Sequence, residues 1–302
     1  MTPYITSYIT YNSEQSQLNL HDLVDDIVDG LEDDESKTLA ILRWFDRGEN
    51  KQENISNMYY RFNQKDALVL LYSKVLYEGF IYSKYPFFGF RFPDTTDNWY
   101  SWIYHSRIGR CGEYSRLCSV MCHYANISVR EVSCNGEDHD WNEVKIENEW
   151  IVIDATTVNL PCKNGYNISR DFMENKVKGD LISNGICVDK GNVSYVYALY
   201  PDNLEYEEDI TDRYTDVVNI SIKVIDNNDI AVEGAKIKVY SQNRLKKRYT
   251  GLYNSTNESG IFIFRIGGGN YTFEASYNGK SGMIRDSFSE DISNHYETII
   301  VK

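Results

Sequence analysis

Gly109-Arg110-Cys111-Gly112-Glu113-Tyr114, then Asp138-His139-Asp140-Trp141-Asn142-Glu143-Val144, then Trp150-Ile151-Val152-Ile153-Asp154 are the three blocks that decide how this 302-residue chain is read. Cys111 stands where a glycine-bearing loop enters a segment of helical spacing, with Leu117, Val120, Met121 and Tyr124 along its apolar side. Backbone N–H groups and the dipole at a helix N-terminus favour the thiolate, the nucleophilic form of cysteine. Gly109 and Gly112 let a substrate carbonyl approach the backbone, and the Cys111 N–H is a candidate oxyanion donor. Cys118 and Cys122 lie four apart on the same helix and read as packed structural thiols.

A thiolate nucleophile needs an imidazole partner, and the chain offers five histidines. His21 sits in an acidic N-terminal run and His295 near the C-terminus. His123 is on the nucleophile's own helix, twelve positions along and too far down the axis to reach the thiol. His105 lies in the loop before Cys111. His139 opens a strand that alternates to Ile146, and the Trp150–Ala155 run reads as a buried strand beside it. If Glu147-Asn148 is a two-residue hairpin turn, Ile146 pairs with Glu149, Lys145 with Trp150 and Trp141 with Asp154. His139, Trp141 and Asp154 then share one face, with Asp154 diagonal to His139 and able to fix its tautomer. A one-residue slip would send Asp154 to the opposite face.

Working outward, residues 21–33 and 35–46 read as helices, the second with Ser36 as a candidate cap, and 65–80 repeats the helical pattern. Tyr82 to Tyr104 is aromatic and broken by Gly and Pro, and reads as a loop or lid. Ser128–Cys134 alternates as a strand. After Pro201 an acidic connection leads to short strands with turn signals. The candidates are Ile220–Ile225, Ala235–Tyr240, Gly260–Ile266, Asn270–Tyr277 and Tyr296–Val301, a small β-sandwich. The expected fold class is α+β. Residues 1–205 form a catalytic domain, mainly helical over 1–85 and helix plus antiparallel sheet over 86–205. Residues 206–216 are an acidic linker and 217–302 the all-β sandwich.

The composition sets limits. With 31 Lys and Arg against 45 Asp and Glu, the net charge of −14 disfavours nucleic-acid partners. No apolar stretch reaches the roughly 20 residues of a membrane helix, so no membrane partner is expected. The Met1-Thr2-Pro3-Tyr4 start has no secretory signal pattern, and reduced thiols in the cytoplasm are expected. The six cysteines include no C-x-x-C pair, so no metal and no other cofactor is assigned. Oligomeric state is not read from the sequence.

The three blocks resemble the transglutaminase-like superfamily, and within it they are most similar to peptide:N-glycanase. That family carries Gly-Arg-Cys-Gly-Glu-Trp, Asp-His-Val-Trp-x-Glu and a Trp-x-x-x-Asp strand. Val193–Leu199 and Glu208–Tyr214 are similar to two of its downstream segments. The resemblance implies a transglutaminase-like, papain-like cysteine hydrolase core. It implies Cys111 as nucleophile, His139 as base then acid, and Asp154 as orienter. Trp99, Trp102, Gly112 and Trp141 are candidates for substrate or oxyanion contacts. The chain departs from the family in lacking the paired C-x-x-C zinc site and in having Tyr114 for Trp and Asp140 for Val. Those departures bear on glycan specificity more than on the triad. Val232–Val239 and Ser259–Phe264 resemble carboxypeptidase-regulatory-like or Ig-like sandwiches.

The expected activity is amide hydrolysis through a thioester, with a glycoprotein or peptide as substrate. In the glycanase form, N-glycoproteins are deglycosylated at the asparagine amide. The alternatives are a transglutaminase-like peptidase or protein-crosslinking enzyme and, in another class, an inactive glycoprotein- or protein-binding scaffold.

Overall fold

The computed structural model describes residues 13–46, 81–82, 104, 108–109, 111–137, 139–155, 181–183, 186–188, 193–242, 247–289, 291–292 and 294–302. The expected helix over 65–80, most of the Tyr82–Tyr104 stretch, and Trp99 and Trp102 lie outside them. Helix α1, Ser13–Val28, starts and stops earlier than the spacing suggested. Gly30 takes φ +72°, a left-handed conformation that ends a helix, and the Leu31 N–H returns to the Val28 carbonyl. Helix α2 is Asp34–Asp46. Its cap is Asp33 rather than Ser36: the Ser36 N–H donates to Asp33 Oδ1 at 2.7 Å, which holds that carboxyl below its ordinary range.

Short strands β1 (Ile81–Tyr82) and β2 (Ile108–Gly109) pair in parallel just before helix α3, Cys111–Tyr124. Strands β3 (Val129–Cys134), β4 (His139–Ile146) and β5 (Glu149–Ile153) follow, then an antiparallel pair, β6 (Leu181–Ser183) and β7 (Ile186–Val188). With β8 (Tyr197–Tyr200) and β9 (Asn203–Asp209) the meander makes a five-stranded sheet in the order β5-β4-β3-β8-β9.

Two compact units are distinguished, one drawn from residues 1–131 and 141–175, the other from 132–140 and 176–302. In the first, the three helices and the strands share a core of Leu20, Ile41, Phe45, Tyr114, Leu117, Met121, Val144 and Ile153, each with no exposed surface. In the second, seven strands form two sheets. The strands β13 (Ile261–Gly267), β10 (Val217–Ile225) and β16 (Asn294–Ile300) lie in that order in one sheet. The strands β12 (Arg248–Ser255), β11 (Lys236–Ser241), β14 (Gly269–Tyr277) and β15 (Lys280–Phe288) lie in that order in the other. Val218, Ile220, Ile222 and Val224 alternate inward from β10 and share a core with Ile237, Val239 and Phe273.

The stretch 206–216, expected as an acidic linker, carries structure. It holds the end of β9 and a 3-10 turn at Thr211–Arg213, and Thr211 and Tyr214 are buried. Its charge is answered: Arg265 of β13 binds Asp209 at 3.2 Å and Asp212 at 2.9 Å.

Candidate active site

Cys111 is the first residue of α3 and is partly exposed, while the nine residues Tyr114–Cys122 are all buried. The helix is therefore enclosed on every side rather than presenting one apolar stripe. Phe45 stacks on Tyr114 at 5.5 Å between ring centroids. Arg116, facing the sheet, forms an ion pair with Glu131 of β3 at 2.7 Å. Cys118 and Cys122 are buried and free, as the sequence led us to expect. Their mutual hydrogen bond, burial and the nearby charge of Asp154 push the Cys118 thiol well up.

The start of α3 is fastened to β4 by two hydrogen bonds. Ser115 Oγ donates to the Trp141 carbonyl at 2.6 Å, and Asn142 Nδ2 donates to the Ser115 carbonyl at 2.9 Å. Sequence reasoning passed over both residues. Their signal was slight: a buried Ser and Asn within otherwise apolar surroundings, which must find polar partners. These bonds fix the helix one turn beyond Cys111 to strand positions two and three residues beyond His139.

The hairpin has the expected register. Glu147 and Asn148 take φ +49° and +65°, a two-residue turn of the kind that suits twisted strands. Ile146 faces Glu149, Lys145 faces Trp150, and the pairing runs to Asn142 and Ile153. Extending it by one residue sets Asp154 opposite Trp141. His139 and Asp154 are both buried, at 4% and 3% exposure, so two ionisable groups occupy this hairpin where each needs a partner. Glu143 is accounted for otherwise: Arg130 of β3 holds it at 2.6 Å and stacks over Trp150.

Of the four candidate contact residues, Trp141 and Gly112 are described. Trp141 has no exposed surface, and its carbonyl accepts from Ser115 Oγ. Gly112 is the second residue of α3 and partly exposed, beside Cys111. Of the other histidines, His105 lies outside the described residues. His21 pairs with Asp25, His123 is exposed beside Tyr124, and His295 packs edge-on against Phe288. Among the described residues no cluster of three or more His, Cys, Asp or Glu is arranged to hold a metal. Also among them, no helix is long and apolar enough to cross a membrane.

Comparison with solved structures gives weak likenesses. The Bacillus cereus major pilin subunit BcpA, as its D312A variant, is 14% identical with a TM-score of 0.23, over 38% of this chain and 41% of that one. The Bacillus anthracis TIE protein is 12% identical with a TM-score of 0.25, over 58% of this chain and 31% of that one. A 3-chlorocatechol 1,2-dioxygenase from Rhodococcus opacus is 7% identical with a TM-score of 0.22, over 28% and 60%. The chain spans less than two thirds of each, and scores this low carry no argument. No curated protein matches the chain. The sequence does match one family model, described as the transglutaminase-like superfamily, over residues 77–155. Cys111, His139 and Asp154 all fall within that transglutaminase-like domain.

Proposed function

We propose that the chain is a cysteine amidohydrolase whose nucleophile is Cys111, with His139 as base and acid and Asp154 as the group that orients the imidazole. The observation that carries this is the fastening of the first turns of α3 to β4 by Ser115 and Asn142, beside a hairpin whose register brings Asp154 to the His139 end. A transglutaminase-like match across the same residues supports it. On this reading residues 77–155 build a papain-like core.

In this reaction Cys111 Sγ attacks the carbonyl carbon of a carboxamide and the C–N bond breaks. His139 passes its proton to the departing nitrogen, leaving a thioester on Cys111. Water then adds to the thioester and His139 accepts its proton. The tetrahedral species collapses to the free acid and Cys111. Backbone N–H groups at the start of α3, by Cys111 and Gly112, hold the oxyanion. The substrate is the asparagine side-chain amide of an N-glycoprotein, so that Asn becomes Asp and a glycosylamine leaves; the block spelling Gly-Arg-Cys-Gly-Glu supports that choice.

Incubation with a denatured N-glycoprotein, wild type beside Cys111→Ala, tests it. Glycan release with conversion of Asn to Asp, lost in the variant, is the expected outcome. Peptide cleavage or amine incorporation without glycan release keeps the cysteine chemistry and moves the substrate. Equal signals from both proteins reject the reading.

A further inference from the structure

The β3–β4 turn contains a buried carboxylate that the proposed chemistry does not use. Glu137 is 1% exposed and stands two residues before His139. Its Oε2 accepts from the Cys134 thiol, from Ser194 Oγ at 2.8 Å and from the Ser194 backbone N–H at 3.2 Å. Its Oε1 accepts from Ser241 Oγ at 3.1 Å, and Ser241 is the last residue of sandwich strand β11. Cys134 suits a donor role, since burial, and then the charge and hydrogen bond of Glu137, push its thiol well up.

Packing around the turn is tight. A Cβ on Gly136 would lie 2.1 Å from Ser194 Oγ and 3.0 Å from Ser241 Cβ, so only glycine fits there. Ser194 is itself fixed, because its carbonyl accepts the Gly267 N–H at 2.8 Å at the end of β13. Asn135, next along, donates to the Tyr197 hydroxyl at 3.0 Å. Asn135 and Glu137 are thus held by β8, by the segment that leads into it and by the sandwich, with Gly136 packed between them. A surface turn needs none of this. A buried carboxylate costs free energy unless several donors meet it, and here they come from three separate segments.

We propose that Glu137 is a positioning residue for His139, and that the sandwich, through Ser241, is part of what sets the imidazole in place. This rests on the triad reading above. A buried side chain tied at both carboxylate oxygens fixes the backbone from which β4 starts, and catalytic groups lose much of their effect when displaced by about 1 Å. The sandwich then has a task in the chemistry beyond spacing or binding.

The test follows the rate at which iodoacetamide alkylates Cys111 in the full chain at neutral pH, read by mass spectrometry of the peptides. Cys118 and Cys122 report on unfolding. Wild-type Cys111 should label fastest, and His139→Ala should slow it by roughly 10-fold or more. Glu137→Ala should slow Cys111 by roughly 10-fold as well, with Cys118 still protected. Glu137→Gln should keep most of the wild-type rate. Its amide oxygen can face Cys134 and Ser194, and its NH2 can donate to the Ser241 hydroxyl, so that the bonds survive without the charge. Ser241→Ala, which loses one neutral hydrogen bond, should slow labelling by about 3-fold.

Should Glu137→Ala expose Cys118, Ser241→Ala and Glu137→Gln decide. Wild-type rates in both Ser241→Ala and Glu137→Ala, with the His139→Ala effect intact, would overturn this inference and leave the triad standing. A slow Glu137→Gln would replace positioning by a charge effect and overturn it too. A wild-type Cys111 that labels no faster than Cys118 removes the triad and this inference together.

Discussion

Along β3 and β4 the chain buries Arg130, Glu131, His139, Asn142 and Glu143, whereas the polar side chains buried among the described residues of the sandwich are all hydroxyls, namely Ser241, Thr250, Thr256 and Thr272. The two regions are both β-sheet, each with a core of buried apolar residues. In the sandwich two of these four hydroxyls close on backbone: Thr250 donates to the Val239 carbonyl and Thr256 to the Val232 carbonyl. Such bonds cost little to satisfy. In the meander every ionised group requires an ionised or multiply bonded partner, and the pairs Arg116–Glu131 and Arg130–Glu143 supply two. Replacing them by packed apolar residues would often cost nothing in stability. The meander thus carries charge pairs whose geometry must be met, where the sandwich core relies on apolar packing.

The largest effect expected from this contrast is on rate. On the proposed triad, Asp154→Asn should lower the rate of Cys111 acylation or substrate turnover on the order of 10³- to 10⁴-fold, because the imidazole would then lose the group that fixes its tautomer. The thermal midpoint should move little by comparison. A variant that keeps wild-type turnover would remove Asp154 from the chemistry.

Next in size is stability. Glu143→Ala leaves Arg130 as a buried cation beside Trp150 and should cost about 3–5 kcal/mol in urea denaturation. The double change Arg130→Met with Glu143→Leu should recover most of it, since no charge is then stranded. A double variant as unstable as the single one would mean that the pair is needed for cohesion after all, and the contrast with the sandwich would weaken.

What the sequence disclosed, and what it did not, follows the same division. Helix Cys111–Tyr124 and strand His139–Ile146 were legible to the residue, and so was the two-residue turn at Glu147-Asn148 that sets the register of Asp154. Each is written in a local period or a short turn. Among the described strands, β8, β9, β12 and β15 and the short β1, β2, β6 and β7 went unread; β9, β12 and β15 each lie at an edge of their sheets, while β8 is interior to its own. An edge strand is exposed along one side and carries polar residues there, so its alternation fades: only two residues of β12 and β15 together, Thr250 and Phe288, are buried. The hydrogen bonds of Ser115 and Asn142, and those of Glu137 to Ser194 and Ser241, join residues 26 to 104 positions apart. No local pattern encodes such bonds, and only the fold discloses them.

A smaller effect belongs to the sandwich core. Thr272 is fully buried on β14, and its hydroxyl has no hydrogen-bond partner among the described residues. Thr272→Val keeps the shape and removes the stranded polar atom, so it should stabilise the chain by roughly 1 kcal/mol. Cys111 labelling should not change. A destabilised variant would show that the hydroxyl is bonded in solution, and would bring the sandwich core closer in kind to the meander.

The smallest effect tests the outer surface of the sandwich, where charges should count for little. Glu297 on β16 has its carboxyl held above the ordinary range, chiefly by partial burial and then by hydrogen bonding to and repulsion from Asp286 on β15, with His295 opposing. A carboxyl raised on folding favours the folded state while it is protonated, and that advantage is lost as the pH rises through the raised value. At neutral pH the charged Glu297 therefore works against folding. Glu297→Gln should raise the thermal midpoint slightly at pH 7, by less than about 1 kcal/mol because the group is partly solvated and screened. Near pH 3 wild type and variant should coincide. A variant less stable than wild type at neutral pH would mean that Glu297 makes a favourable contact as a carboxylate, and the sandwich surface could no longer be set against the meander as electrostatically indifferent.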